Sequence, residues 1–292
     1  MVNSWIKPTL IVGLALDAVF AAAVPAGAQA PPKPSDTLTI NGAQVDLWLP
    51  STGAPPFPLA LFSHGVSGCR NQSAYLMAAL AQAGMVVAAP DHEDQRCGQH
   101  LTIESLPPEF YTPDLWRDQK YAGRRDQLRE LRTALLADPT LGPRIDATKL
   151  ALIGHSLGGY TVLGLAGALP GAKPEGLRVV VALAPYLWPY ETGGTPEAIS
   201  VPVLIEAGAL DKASDNLAVF LPKLGGPACA QVFPSARHLA WVDSPDMPPD
   251  AAQPEYQTAT AAAAVAFIKQ AFIDGTAAAP AASVPPAQIT CR

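Results

Sequence analysis

Short apolar runs alternate with longer helix-compatible segments through most of this 292-residue chain. The apolar runs are typical of strands that are buried on both faces, and the segments between them have the periodicity of amphipathic helices. This alternation predicts a mostly parallel sheet of about eight strands, covered by helices on both faces. The strands are expected at residues 37–40, 45–49, 59–62, 85–89, 150–153, 178–183, 201–206 and 229–233.

The helices are predicted at about residues 73–83, 115–137, 160–169 and 256–273, and Gly275 is expected to end the last of them. Asn41-Gly42 lies between the first two strands and is typical of a tight hairpin turn. Residues 91–113 are expected to be irregular.

The first 30 residues have the features of a secretory signal peptide. Lys7 precedes an apolar stretch at residues 10–24, and Ala28-Gln29-Ala30 matches a small-x-small cleavage site. Asp17 interrupts the apolar stretch, so an uncleaved N-terminal anchor is the alternative. The expected organisation is a signal peptide at 1–30, one α/β domain at 31–275 and an Ala/Pro-rich tail at 276–292. The mature protein is expected to be secreted or periplasmic, without stable membrane insertion.

The net charge of −6 and the lack of a Lys/Arg-rich run argue against a nucleic-acid partner. The four cysteines of an exported chain could form two disulfides in three ways. Cys69 and Cys97 follow neighbouring predicted strands, whereas Cys229 opens the last strand and Cys291 ends the tail. We therefore favour Cys69 with Cys97 and Cys229 with Cys291. No C-x-x-C or C-x-x-H spacing is present, and no metal is expected.

A G-x-S-x-G pattern follows the apolar strand predicted at residues 150–153 and precedes a predicted helix. It consists of Gly154, His155, Ser156, Leu157 and Gly158. Such a pattern is typical of a sharp strand-to-helix turn, in which the small residues let the serine stand clear of the sheet. Ser156 is the predicted nucleophile, and the Leu157 N–H is a predicted oxyanion donor. The pattern also occurs by chance in Gly/Ala-rich chains, so the partners of the serine decide its meaning.

The general base should be a histidine late in the chain, because the partners in this arrangement follow in the order serine, acid, histidine. His238 comes a few residues after the last predicted parallel strand, which fits both the order and the location. The other four histidines lie beside their own strand ends or precede the serine: His64, His92, His100 and His155.

The acid should follow the strand between the serine and the histidine. Asp211 lies just after the strand predicted at 201–206 and is the chosen residue. Asp215 starts a helical segment, where an acid is commonly a cap, and Glu206 lies within the strand. Asp243 follows the histidine and would reverse the order.

A second oxyanion donor should come from the loop after the strand predicted at 59–62. His64-Gly65-Val66 occupies that loop. The Val66 N–H is the predicted donor, and Gly65 allows the backbone to approach the reacting oxygen.

With these residues placed, the chain resembles the α/β-hydrolase superfamily across nearly the whole mature sequence. Segments 62–65, 83–92 and 154–159 are similar to the dienelactone-hydrolase-like group, which includes platelet-activating-factor acetylhydrolases and cutinase-like bacterial polyester hydrolases. The resemblance implies an α/β-hydrolase fold that needs no cofactor. It also implies that Ser156, Asp211 and His238 are the catalytic triad and that Val66 and Leu157 form the oxyanion hole.

The resemblance further places a substrate-contacting tryptophan at Trp188, for which simple packing is an equally good interpretation. His64, Gly65 and His155 are the other candidates for substrate binding. The chain departs from polyester hydrolases at the oxyanion hole, where an aromatic residue is usual at the position of Val66 and methionine is common at that of Leu157.

The predicted function is that of a secreted serine esterase, which cleaves small to medium acyl or aromatic esters through an acyl-enzyme. Its partner would be a small or polymeric ester, and a monomer is expected. One alternative is a lipase or phospholipid acyl hydrolase in which residues 91–113 act as a lid. Another is a non-catalytic binding protein on the same fold.

Overall fold

The computed structural model describes residues 32–99, 106–212, 215–243, 254–281 and 287–292, all of them within one unit, residues 31–292. The predicted signal peptide at 1–30 lies outside the described residues, as do His100 and residues 101–105 of the irregular segment. Within the described ranges, every helix falls short of the length or the apolar character that a bilayer crossing requires.

The apolar runs become the strands of one sheet, which has nine strands in the described part of the chain. Six parallel strands, β3 to β8, form its centre, whereas β1, β2 and β9 pair antiparallel at its edges. The spatial order is β1-β2-β4-β3-β5-β6-β7-β8-β9. The strands are β1 (Asp36–Ile40), β2 (Ala43–Trp48), β3 (Phe57–Ser63), β4 (Val86–Pro90), β5 (Ile145–His155), β6 (Leu177–Leu183), β7 (Val203–Gly208), β8 (Ala228–Phe233) and β9 (Gln288–Cys291).

Helices cover both faces of the sheet, because successive residues of its central strands point to opposite sides. In β5, Leu150 and Leu152 belong to one hydrophobic core, whereas Ala151 and Ile153 belong to the other. Helices α2, α3 and α5 supply side chains to the first core, and α1 and α6 supply the second. The helices are α1 (Ala74–Gln82), α2 (Ala122–Ala137), α3 (Leu157–Leu163), α4 (Pro189–Thr192), α5 (Leu217–Phe220) and α6 (Pro254–Asp274).

The eight strands expected from the sequence are all present, and Asn41 and Gly42 form the predicted hairpin turn with φ values of 50° and 83°. The predicted helix at 115–137 is wrong in its first turns. Regular helix begins at Ala122, and two 3-10 turns precede it, Pro113–Leu115 and Asp118–Tyr121. Aromatic packing explains this start, because the Trp116 ring stacks on Tyr121 with centroids 4.9 Å apart.

The end of the chain differs from the expected tail at 276–292. Residues Gln288–Cys291 form β9 and extend the sheet beyond β8. A disulfide joins Cys229 of β8 to its register partner Cys291, and a second joins Cys69 to Cys97. The structure thus contains the two favoured pairings, and the ninth strand is held by both backbone pairing and a covalent bond.

The Cys229–Cys291 bond should contribute to stability by limiting the unfolded chain. The double variant Cys229→Ser/Cys291→Ser should lose about 2–4 kcal/mol of unfolding free energy in urea titrations under oxidising conditions. The matched variant Cys69→Ser/Cys97→Ser opens a loop of 28 rather than 62 residues. Its loss of unfolding free energy should be the smaller of the two, with a difference below about 1 kcal/mol. An unchanged urea midpoint for the first variant would contradict this role.

Candidate active site

The site is built around a backbone turn between β5 and α3. Ser156 is the single residue between them and has φ 54° and ψ −117°, a conformation that costs energy for a residue with a side chain. The glycines beside it have no room for a Cβ. A Cβ on Gly158 would lie 1.9 Å from the Ser63 carbonyl oxygen, and one on Gly154 would lie 2.2 Å from that of Gly158. Close backbone packing therefore enforces the strained serine.

The structure brings Ser156, His238 and Asp211 into one hydrogen-bonded chain. His238 Nε2 lies 2.8 Å from Ser156 Oγ, and His238 Nδ1 lies 2.9 Å from Asp211 Oδ2. The Asp211 side chain is only 3% exposed, whereas that of His238 is 33% exposed. A hydroxyl, an imidazole and a buried carboxylate in this order can transfer the serine proton to the ring and stabilise the resulting charge.

The other carboxylates considered from the sequence have different partners. Asp243 accepts the N–H groups of the first two residues of α1, at 2.8 Å each, and so caps that helix. Glu206 is fully buried and accepts hydrogen bonds from Thr260 and Trp241. Asp215 lies in the loop before α5, where its N–H donates to the Lys212 carbonyl.

Two backbone N–H groups are available beside the serine. The Leu157 N–H belongs to the first residue of α3, and Val66 follows Gly65, whose added Cβ would lie 3.4 Å from Ser156 Cβ. Among the described residues, neither N–H donates to an acceptor. Both are therefore free to bind an oxygen that carries developing negative charge.

His155, a candidate for substrate binding, instead lies behind the site and is 2% exposed. Its Nδ1 accepts from the Gln72 amide at 2.8 Å, and its Nε2–H donates to the His238 carbonyl at 2.9 Å. Burial, together with the nearby His238 ring, lowers the pKa of His155 to about 3. The ring is thus neutral and holds the backbone of His238.

His64 also differs from the expected substrate contact, since it is fully buried. Its Nδ1–H donates to the Gly65 carbonyl at 2.7 Å, and its Nε2 accepts the His92 N–H at 3.0 Å. Burial first, and Arg124 second, lower the pKa of His64 to about 3. His64 therefore supports the loop that carries Val66.

Trp188 immediately precedes α4 and is 37% exposed, so it is not a core side chain. Its contact with substrate stays a prediction, as does that of Gly65, whose backbone lies against Ser156.

Three residues of this site were missed by the sequence analysis. Arg124 on α2 donates to the carbonyls of His64 and Gly65, and Asp94 binds the same guanidinium. Gln72 accepts the Gly65 N–H at 3.2 Å. Arg124 is one of several charged residues in α2, and no local pattern distinguishes it.

The described part of the irregular segment packs close to the serine turn. The Phe110 ring lies 4.9 Å from that of Tyr186, and the Tyr186 hydroxyl donates to the Glu109 carbonyl at 3.2 Å. The Tyr186 N–H in turn donates to the Ser156 carbonyl at 3.1 Å. Tyr111 and Leu115 of this segment are each 50% exposed.

Cys69, Asp91 and Cys97 are the one cluster in the described ranges with the composition of a metal site. Both sulfurs are bound in the disulfide, and Asp91 accepts hydrogen bonds from Arg70, so their atoms do not make a ligand set. A cleft of about 860 Å³ lies between the β1–β2 turn, residues 90–95 and α2, and Ser156 is not among its lining residues.

A mostly parallel sheet with a strained serine turn after its fifth strand, and with an aspartate and a histidine after later strands, is the arrangement of the α/β-hydrolase fold. The crystal structure of a dienelactone hydrolase from Anabaena variabilis has this fold and superposes with a TM-score of 0.54 at 21% identity. The match covers 83% of this chain and 99% of that one. The α/β-hydrolase fold predicted from the sequence is thereby confirmed.

Sequence comparison gives a second resemblance, which covers part of the chain. The family model "Platelet-activating factor acetylhydrolase, isoform II" matches residues 46–109. The platelet-activating factor acetylhydrolase of Cavia porcellus is 26% identical over 161 residues, which cover 46% of this chain. The matched part is 36% of the length of that relative. The predicted resemblance is therefore confirmed in sequence for platelet-activating factor acetylhydrolases and in fold for a dienelactone hydrolase.

The close packing at the serine turn gives a direct test. Gly158→Ala should destabilise the protein by about 2–3 kcal/mol or prevent folding, because its methyl group would overlap the Ser63 carbonyl. Gly123→Ala in α2 is the matched control, since its Cβ would meet nothing within 4 Å. The control should be unchanged or more stable by up to about 1 kcal/mol. Thermal unfolding that is equal for both variants would contradict the proposed overlap.

A buried carboxyl group supports the turn that carries His238. Trp241, at the end of the 3-10 turn that starts at His238, donates its indole N–H to Thr260 at 2.9 Å and to Glu206 at 3.3 Å. Burial raises the pKa of Glu206 from an ordinary value of 4.5 to about 7, against the lowering effect of the bonds from Thr260 and Trp241. Folding therefore favours the protonated form of this carboxyl.

Stability should depend on pH through Glu206. The protonated Glu206 carboxyl contributes fully to the free energy of unfolding below pH 4.5, and this contribution is lost as the pH rises through about 7. Glu206→Gln keeps a neutral group of the same shape. In urea titrations at pH 8, its free energy of unfolding should exceed that of wild type by on the order of 3 kcal/mol. At pH 4.5 the two free energies should differ little. A difference between the two proteins that does not change with pH would contradict this linkage.

Proposed function

We propose that the protein is a secreted serine hydrolase that cleaves carboxylic esters through a Ser156–His238–Asp211 triad and an acyl-enzyme. The observation that carries this proposal is the continuous hydrogen-bonded chain at the strained Ser156 turn, with two free N–H groups beside it. A purely structural or binding role gives no reason for this combination.

In the proposed mechanism His238 takes the Ser156 proton while the hydroxyl oxygen attacks the ester carbonyl. The N–H groups of Val66 and Leu157 bind the resulting oxyanion, and Asp211 orients and stabilises the imidazolium. The alcohol leaves with the proton from His238. Water then repeats the sequence on the acyl-enzyme and releases the acid.

The proposed substrates are carboxylic esters with small to medium acyl groups or with aromatic groups. The name of the Cavia porcellus relative specifies an acetyl group, which supports a short acyl chain. Residues 186–188 lie next to the serine turn, and Trp188 is exposed there to meet an acyl or aromatic group.

A phospholipid or lipid acyl hydrolase is the second candidate. It is favoured by the half-exposed Tyr111 and Leu115, which lie on the segment that packs against Tyr186 and could contact the apolar part of a lipid ester. Secretion is proposed from the signal-like residues 1–30 and is supported by the two disulfides, which persist in oxidising compartments.

Ser156→Ala tests the function directly. Purified wild type should hydrolyse p-nitrophenyl esters, and the variant should lose about four to six orders of magnitude in kcat. Ser200→Ala, which removes an exposed hydroxyl, is the control and should match wild type. A fluorophosphonate should label wild type and Ser200→Ala but not Ser156→Ala. Turnover that survives in Ser156→Ala would eliminate the triad mechanism.

The same enzyme on a panel of esters distinguishes the two candidates. Acyl chains from acetate to palmitate, an aromatic polyester film and micellar lipid should be compared at equal enzyme concentration. The esterase predicts the highest kcat/KM for short monomeric esters, whereas the lipid hydrolase predicts a rise of activity above the micellar concentration. If wild type cleaves none of these esters and resists the fluorophosphonate, a binding protein is the better interpretation.

A further inference from the structure

One buried arginine binds the backbone on which the proposed oxyanion hole depends. Arg124 Nη1 donates to the His64 carbonyl at 2.6 Å, and its Nη2 donates to the Gly65 carbonyl at 3.0 Å. The Arg124 side chain is only 4% exposed. Asp94 accepts two further hydrogen bonds from the guanidinium, from Nε at 3.0 Å and from Nη2 at 2.8 Å.

These bonds fix the peptide unit that contains the Val66 N–H. The Gly65 carbonyl accepts from Arg124, from His64 and from the Gly68 N–H, while the Gly65 N–H donates to Gln72. The Gly65–Val66 peptide bond is trans, so its C=O and N–H point in opposite directions. A carbonyl held toward Arg124 therefore leaves the Val66 N–H on the other side of the loop.

Asp94 extends the hold to the residue after Val66. Its Oδ2 accepts the Ser67 N–H at 3.1 Å. Although burial raises the pKa of Asp94, Arg124 lowers it below its ordinary value, so the pair is ionised. The loop is thus bound on both sides of Val66 by one ion pair, through Gly65 and through Ser67.

The charge of Arg124 also acts on the donor itself. Hydrogen bonds in series polarise one another, and a guanidinium bound to the Gly65 oxygen makes the N–H of the same peptide unit a stronger donor. An isolated ion pair in this interior would be costly, whereas a pair bonded to three backbone groups is well compensated.

We propose that Arg124, held by Asp94, is a positioning residue for ester hydrolysis, which orients the Gly65–Val66 peptide so that the Val66 N–H binds the oxyanion. The inference rests on the proposed acyl-transfer function. The effect is largest in the transition state, because the negative charge on the oxygen develops there. Loss of Arg124 should therefore lower kcat and leave KM almost unchanged.

The test compares two lysine substitutions on the same helix. Arg124→Lys keeps the charge beside Asp94 but cannot donate to two carbonyls and the carboxylate together. Arg125→Lys is the matched control, since Arg125 is also buried and forms a bidentate pair with Asp118 at 2.7 and 2.8 Å. Arg124→Lys should lose about 10- to 100-fold in kcat, below the full effect of a missing donor, with KM within about twofold. For the control Arg125→Lys, kcat and KM should each stay within about threefold of the wild-type values.

A transition-state analogue separates positioning from general damage. A trifluoromethyl ketone that forms a hemiketal with Ser156 should bind Arg124→Lys more weakly, by the same factor by which kcat falls. Its affinity for Arg125→Lys should equal that for wild type. The carbonyl stretch of an acyl-enzyme in the infrared should move to higher frequency in Arg124→Lys, because the carbonyl oxygen is less strongly bound.

If Arg124→Lys does not fold, Asp94→Asn provides the second variant, because it keeps the arginine and weakens its hold. Asp94→Asn should lower kcat at constant KM, and the affinity for the trifluoromethyl ketone should fall by the same factor as kcat. Equal kcat for the two lysine variants, or wild-type kcat for Asp94→Asn, would overturn the role of Arg124 while Ser156→Ala remained inactive. Turnover in Ser156→Ala would instead overturn the proposed function itself.

Discussion

The contact between the backbones of Gly158 and Ser63 is the constraint on which the site depends. A Cβ on Gly158 would lie 1.9 Å from the Ser63 carbonyl oxygen, so α3 can approach the end of β3 only with glycine at this position. The approach forces Ser156 into a positive φ and brings the first turn of α3 beside the loop after β3. The two N–H groups proposed to bind the oxyanion come from these two elements, and the contact therefore sets the distance between them.

Buried neutral histidines form the layer behind that contact. Burial lowers the pKa of His64 and of His155 to about 3, so both rings can accept one backbone or amide hydrogen and donate another without a charge. His155 connects Gln72 to the His238 carbonyl, and His64 connects the His92 N–H to the Gly65 carbonyl. His238 lies in front of this layer: its side chain is 33% exposed, and its Nε2 lies 2.8 Å from Ser156 Oγ. His64 and His155 therefore stay neutral near neutral pH, and their hydrogen bonds to the loop and to the turn do not depend on a charge.

The ion pair of Arg124 and Asp94 is the charged part of the same layer. It binds the loop that carries Val66, whereas the hydrogen bonds from Trp241 to Thr260 and Glu206 bind the turn that begins at His238. The two supports lie on different elements, α2 for the first and β7 with α6 for the second. A substitution in one should affect the oxyanion side of the reaction, and a substitution in the other should affect the base.

The amino-acid sequence by itself determined the first eight strands, the serine turn and the residues that meet there. Each of these depends on a local pattern or on chain order: an apolar run, a glycine spacing, or an acid and a histidine after successive strands. The disulfide pairing followed from the same reasoning, because strand ends on one edge of a sheet must lie together.

Only the tertiary structure decided the roles of His64, His155 and Arg124, and the pairing of β9 with β8. A histidine beside a nucleophile has the same sequence whether its ring faces substrate or is buried behind the serine. Arg124 is about sixty residues from the carbonyls that it binds, and no helical periodicity encodes that contact. Such contacts depend on how the layers pack, which local propensity does not specify.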